Sequence, residues 1–342
     1  MHKALIAALL LGIATPALAD GPYRVLRTVT VGGDGGFDYI TADSGARRLY
    51  IARSGKTGAR LLAFDLDTLK PAGQIDDVSA HGMVVDPVTG HGFASSKPIT
   101  MFDAASFTAT KTIAVDGNPD GLTFSSADKK LYVLSHSAPN ITAIALGDGA
   151  VTGTVDLGAA PEQSVSDGAG HLYVDLENAG AVAVVDTKTL AVTARYPLGE
   201  KGGVPAGLAF DPKTRVLFVA CRNPAAMVMM NADTGAILDA IPIGTANDGV
   251  VFNPKTREAF GSQADGTLAI IQETGSSGFK LEQTLATASG AKTLALDART
   301  GHIFLMTVDY GPLPADAPAL SNGRIARGPM IPGSFKIIEV GR

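Results

Sequence analysis

Apolar and polar positions along this chain recur in a fixed order. Two or three apolar residues lead to a polar residue and a short turn, and an aromatic follows seven positions after the polar residue. The pattern occurs as Asp43 to Tyr50, Asp86 to Phe93, Ser125 to Tyr132, Ser166 to Tyr173, Asp211 to Phe218, Asn253 to Phe260 and Asp297 to Phe304. Successive aromatics lie 43, 39, 41, 45, 42 and 44 residues apart. A period of about 42 residues built from short apolar or alternating runs predicts one small sheet per repeat, the blade of a β-propeller.

The turns within each unit support that reading. Asp86-Pro87-Val88-Thr89-Gly90, Asp211-Pro212-Lys213-Thr214 and Asn253-Pro254-Lys255-Thr256 put Pro where a turn needs φ near −65°. They link a first strand to a second, such as Leu131-Tyr132-Val133-Leu134. A third follows, as in Ala181 to Asp186, then a Thr-containing turn and a fourth, as in Val192 to Leu198. The last unit, from Leu294, supplies three strands and ends in Phe335 to Val340. Its missing outer strand is available at the other end of the chain, in Arg24 to Thr30. Pairing the two ends in one sheet removes free edges. The expected fold is all-β, a seven-bladed β-propeller of four-stranded blades closed by an N-terminal strand, as a single domain over residues 20–342. An open β-solenoid would need capping units, and the sequence offers none.

The phrases Leu131-Tyr132-Val133, Leu172-Tyr173-Val174, Leu217-Phe218-Val219-Ala220, Val184-Val185-Asp186-Thr187-Lys188-Thr189 and Phe210-Asp211-Pro212-Lys213-Thr214 resemble the repeats of the YVTN-repeat, YncE-like family of periplasmic β-propellers. The resemblance spans residues 20–342 and implies the same fold and a binding platform. It implies no catalytic residue. Blade two, with Gly92-Phe93-Ala94, is degenerate, and blade seven carries a long insertion.

The N-terminus reads as an export signal over residues 1–19. A short basic start, Met1-His2-Lys3, precedes the apolar run Ala4 to Ile13, and Ala17-Leu18-Ala19 fits the small-x-small cleavage pattern. That run falls short of the roughly 20 residues a membrane span needs. The expected address is the periplasm. Of 342 residues, 40 are Gly and 19 Pro, which suits many short strands and tight turns. Lys3 leaves with the signal, so 27 Lys and Arg stand against 33 Asp and Glu, a net charge of −6. A mildly acidic chain without Trp runs against nucleic-acid binding, which relies on basic patches. A monomer is expected. Cys221 is the lone cysteine. It forms no internal disulfide, and at the end of an apolar strand it reads as a small buried hydrophobe.

Candidate chemistry gathers where the chain enters each innermost strand, five residues before the repeat's polar residue. Those residues are Asp38, His81, Asp120, Pro161 with Glu162 beside it, Ala206, Asp248 and Lys292. They are expected to ring the channel mouth. Of these, Asp38, His81, Asp120 and Asp248 are candidate ligands of a divalent cation, calcium for a carboxylate set or zinc with the histidine. Asp in such loops also caps turns, as Asn118-Pro119-Asp120-Gly121 would. Loops between second and third strands add Arg53, Lys97, His136, Glu177, Asn178, Arg222, Asn223, Gln263 and Asp309. Arg53 and Arg222 suit a carboxylate or phosphate, and His136 pairs with His81 as a two-histidine option. His91, His171 and His302 belong to the opposite face as exposed bystanders. The Pro-rich loop 309–332 carries Arg324 and Arg327, and reads either as a lid over the mouth or as a flap sealing the last blade to the first.

Three functions fit these residues. The first is a non-enzymatic periplasmic binding protein that takes a small-molecule or protein ligand at the channel mouth. The second is a metal-dependent, lactonase-like hydrolase with a divalent cation there and His81 or His136 as base. The third, binding of single-stranded nucleic acid through Arg53, Lys97 and Arg222, has the acidic net charge against it. No Gly-rich phosphate loop, Gly-x-Ser-x-Gly elbow, His-Glu-x-x-His pair or Cys-x-x-Cys-His haem attachment occurs.

Overall fold

The computed structural model of the protein describes residues 21–275, 278–318 and 320–342. The export signal read at residues 1–19 lies outside them. The described residues form seven four-stranded antiparallel sheets, arranged as a β-propeller. Blades one to six each run through four consecutive strands, starting at Gly36, Ala80, Pro119, Pro161, Pro205 and Asn247. Blade seven combines Leu294–Leu296, Ile303–Thr307 and Lys336–Gly341 with Arg24–Thr30, the N-terminal strand, on its outer edge. That strand pairs from Arg24 opposite Gly341 to Thr30 opposite Lys336. The ring is therefore closed by main-chain hydrogen bonds between the two ends of the chain.

The repeating aromatic has a packing cause. The buried core divides into seven clusters, one at each junction between neighbouring blades. Each aromatic is buried and points into the junction with the next blade. Tyr50 packs on Ala94 and Phe102 of blade two, and Phe304 of blade seven packs on Ile40 and Leu49 of blade one. The sheets meet face to face, so one large side chain per repeat fills the gap between them.

The hairpins follow the turn chemistry read from sequence. Asp86 Oδ2 accepts from the Thr89 backbone N–H at 3.1 Å and from its hydroxyl at 2.8 Å. Gly90 then takes φ +73° to re-enter the sheet. Three histidines placed on this face as exposed bystanders are half-buried and paired instead. His91 Nδ1 lies 2.9 Å from Leu146 O, His171 Nδ1 2.9 Å from Asp167 and His302 Nδ1 2.7 Å from Glu339. His91 and His302 tie their hairpins to neighbouring segments, and His171 braces its own hairpin.

Two features position the channel mouth. In blades one to six the innermost strand shifts register by one residue against its partner, as between Phe37 and Ile40 or between Pro119 and Leu122. Such a bulge turns a side chain out of the sheet's regular alternation. The second is the long connection in blade seven, pinched at its base by the Tyr310–Met330 bridge and by Gly311 N–H donating to Pro329 O at 2.8 Å.

Candidate functional site at the channel mouth

Strand pairing fixes which residues are equivalent. Ile40, Met83, Leu122, Ser164, Leu208, Val250 and Leu294 face corresponding positions of their second strands. Two residues earlier stand Asp38, His81, Asp120, Glu162, Ala206, Asp248 and Lys292. The fourth member is thus Glu162, not Pro161. Blade four's first hairpin is one residue shorter, with Val165 opposite Tyr173 where blade three has Thr123 opposite Tyr132, so counting back from the aromatic lands one place early. In blade five the position holds Ala206, and Arg222, at the end of that blade's second strand, reaches in over it.

These side chains form a closed circuit of alternating charge. His81 Nδ1 lies 3.1 Å from Asp38 Oδ2 and 3.2 Å from Asp120 Oδ1. His136 Nε2 lies 3.2 Å from Asp120 Oδ2 and 3.2 Å from Glu162 Oε2. Arg222 Nη2 faces Glu162 Oε1 at 3.5 Å and also pairs with Asp248. Lys292 pairs with Asp248 and donates to Asp38 Oδ1 at 2.9 Å, which completes the circuit. Four carboxylates and four basic groups alternate around the mouth.

Burial and neighbours set the protonation of each group. Burial would raise Asp38, but the Lys292 ammonium and the His81 contact outweigh it and hold the carboxyl well below its usual range. Burial, reinforced by the charges of Asp38 and Glu162, pushes Asp120 up to about 6. The Glu162 carboxylate facing His136 lifts that imidazole to about 9, and the Asp38 carboxylate raises His81. Glu162 is lowered despite its burial by His136 and Arg222. The mouth therefore has two halves. Asp38, His81, Asp120, His136 and Glu162 make an acidic, histidine-bearing half, and Arg222, Lys292 and Asp248 make a cationic one.

Below the ring, Tyr39 crosses the channel and donates from its hydroxyl to Glu162 O at 3.1 Å. Nothing in the sequence reading singled out Tyr39. The signal was present: the same position holds Gly82, Gly121, Gly207 and Gly249 in four other blades. A Cβ at Gly82 would sit 2.9 Å from the Tyr39 Cβ, so the ring needs that space. Around and beneath Tyr39 is a cavity of about 180 Å³ lined by the innermost strands. Asp175 is a second unforeseen residue. It is fully buried in blade four, pushed up to about 8 by burial, and accepts from the Gln163 N–H at 2.6 Å, which fixes the bulge that carries Glu162.

Loop 309–332 makes contacts of both kinds: Tyr310, at its base, packs against the junction of blades seven and one, and the segment farther along meets the mouth. Arg324 pairs with Glu177 at 3.1 Å, and Glu177 pairs with Arg222. Leu320, Arg324, Ile325 and Arg327 roof a cavity of about 160 Å³ whose floor includes Arg222, Asp248 and Lys292. The segment lies over the cationic half.

Other sequence candidates stand apart from the ring. Arg53 is fully buried with its guanidinium 3.8 Å above the Phe335 ring, donating to Gly36 O at 3.1 Å and Gly35 O at 2.7 Å. It clamps blade one to blade seven and does not face the mouth. Asp248, a member of the ring, belongs to neither group of metal-ligand geometry, since Arg222 and Lys292 occupy it. Lys97 pairs with a backbone carbonyl, and Asn178 caps Ala160 N–H at 2.9 Å. Burial pushes the Cys221 thiol up to about 12, far from a nucleophile's range.

No known protein-family profile matches the chain, and no curated protein matches it. Among solved structures 1569 chains match, a breadth that carries a fold and no particular function. One is a chain of the crystal structure of the mitotic checkpoint complex, 14% identical, with a TM-score of 0.69 over 89% of this chain and 94% of that one. At that identity the likeness is one of fold: a seven-bladed β-propeller, in which no helix among the described residues is long and apolar enough to cross a membrane.

Proposed function

We propose that this chain is an exported binding protein that takes a small charged molecule at the channel mouth. The closed circuit from Asp38 to Lys292 carries the reading. Asp120, Glu162 and Asp248 are buried carboxylates gathered at one end of the closed ring, an arrangement that costs desolvation. Export rests on the sequence of residues 1–19, and kinship with YVTN-repeat propellers on the repeat phrases quoted above.

The test is a thermal-shift screen of the full chain, run in EDTA, against carboxylic acids, amino acids, sugar acids and phosphates. A ligand at 100 times its Kd adds about 2.7 kcal/mol, a rise of a few degrees. We expect at least one such rise, abolished by Asp120→Asn and by Lys292→Met. A panel without hits, or hits indifferent to both substitutions, would sink the reading and leave the outer surfaces as a platform for protein partners.

A metal-dependent hydrolase is the second reading, favoured by one observation. Asp38, His81 and Asp120, and again Asp120, His136 and Glu162, bring potential ligand atoms within 4.8 Å of one another. Lactone or ester hydrolysis that EDTA abolishes would establish it.

A further inference from the structure

The two histidines of the mouth face their neighbours in a way that hydrogen bonding does not explain. An imidazole N–H serves one acceptor well. His81 Nδ1 is faced by two carboxylate oxygens, Asp38 Oδ2 at 3.1 Å and Asp120 Oδ1 at 3.2 Å. His136 Nε2 is likewise faced by Asp120 Oδ2 and Glu162 Oε2, both at 3.2 Å. Two of these oxygens, Asp120 Oδ1 and Glu162 Oε2, are buried and have these imidazole contacts but no well-formed hydrogen bond, on residues only 7% and 4% exposed. Buried carboxylate oxygens without a donor are costly and call for a partner. Neighbouring ligands on a tetrahedral ion with bonds of about 2.0–2.1 Å stand roughly 3.3 Å apart. That is the spacing found on both sides of Asp120.

From this geometry we infer that the acidic half of the mouth is a site for two divalent transition-metal cations of the zinc class, bridged by the Asp120 carboxylate. One ion takes Asp38, His81 and Asp120 Oδ1. The other takes Asp120 Oδ2, His136 and Glu162. Each has one imidazole and two carboxylate oxygens, a donor set that suits zinc, manganese or iron(II) better than the all-oxygen cages of calcium. Ions joined by one carboxylate lie about 3.5–4 Å apart in known two-metal sites. The outer ligands are braced from behind, Asp38 by Lys292 at 2.9 Å and Glu162 by Arg222 at 3.5 Å. Three carboxylates against two divalent ions leave one positive charge. With the cationic half beside it, the site suits an organic anion that Arg222 and Lys292 can hold. This inference rests on reading the mouth as a ligand site.

The experiment titrates the full, tag-free, EDTA-stripped chain with zinc chloride by calorimetry and counts bound zinc after dialysis. Two equivalents are expected for the native chain. His81→Ala and His136→Ala should each retain one equivalent, and the double variant none. Asp120→Asn should lose both. Circular dichroism and melting temperature check that each variant is folded, and the part-exposed histidines keep the test open should Asp120→Asn not fold. Fewer than two equivalents in the native chain, or zinc retained by the double histidine variant, would overturn the inference. Because the organic screen is run in EDTA, its outcome and the zinc count fail independently.

Discussion

The Lys292 ammonium donates to the Asp38 carboxylate at 2.9 Å, across the seam where the last blade meets the first. Lys292 also pairs with Asp248 of blade six. One basic side chain thus separates two carboxylates that would otherwise face each other with little water between them. Lys292→Met should cost about 2 kcal/mol, below the ~3–5 of a fully enclosed pair because the lysine is part-exposed. Adding Asp248→Asn should restore part of the loss. Chemical denaturation of the single and double variants measures both, and a single variant as stable as the native chain would show that water already screens the pair.

Arg53 makes a contrasting case. It shares the chemistry of Arg222 but spends it inside the fold, stacked on Phe335 and bonded to Gly35 and Gly36. Burial lowers its guanidinium to about 10, so it still carries its charge at neutral pH. Arg53→Met should lose about 2–4 kcal/mol of stability while leaving zinc and ligand binding unchanged. A loss of binding at unchanged melting temperature would place it at the mouth after all.

Gly323 holds the lid against the ring. Its φ is +68°, and a Cβ there would sit 2.4 Å from Arg222 O. Gly323→Ala should lift the segment without disturbing the blades. Trypsin should then cut faster at Arg324 and Arg327, with a melting temperature within about 2 °C of the native value. An unchanged cleavage rate would mean that other contacts hold the lid.

A pair far from the mouth gives a clean pH signal. The hydrogen bond that protonated Glu282 donates to the Glu258 carboxylate, followed by burial, pushes Glu282 up to about 7. A raised carboxyl contributes stability that is complete below its unfolded value, near 4.3, and is lost as pH rises through about 7. Glu282→Gln mimics the protonated form. It should match the native chain near pH 4.5 and exceed it by about 1–3 °C at pH 8. Parallel melting curves across that range would refute the shared proton.

How much of this was legible beforehand depends on whether a feature is periodic. The propeller was, because blade packing demands an aromatic at every junction and a turn at every hairpin, and these recur in the sequence itself. Ring closure was legible from a count, three strands at one end and one at the other. The mouth positions followed from the same period, and they failed by one residue at Pro161, where a hairpin is a residue shorter.

What the period could not supply is which of those residues touch. Arg53 and Arg222 occupy the same loop set, yet one turns under Phe335 and the other into the ring, since Ala206 leaves room in blade five. Asp248 looked like a metal ligand until Arg222 and Lys292 were found on it. The sharing of Asp120 between His81 and His136 depends on the innermost strands of blades two and three and the loop after Ser135 converging at one point. Sequence determines such a fold through local repetition. The charge pattern at its centre is decided by contacts among seven blades, each some forty residues from the next along the chain, and only the closed ring brings them together.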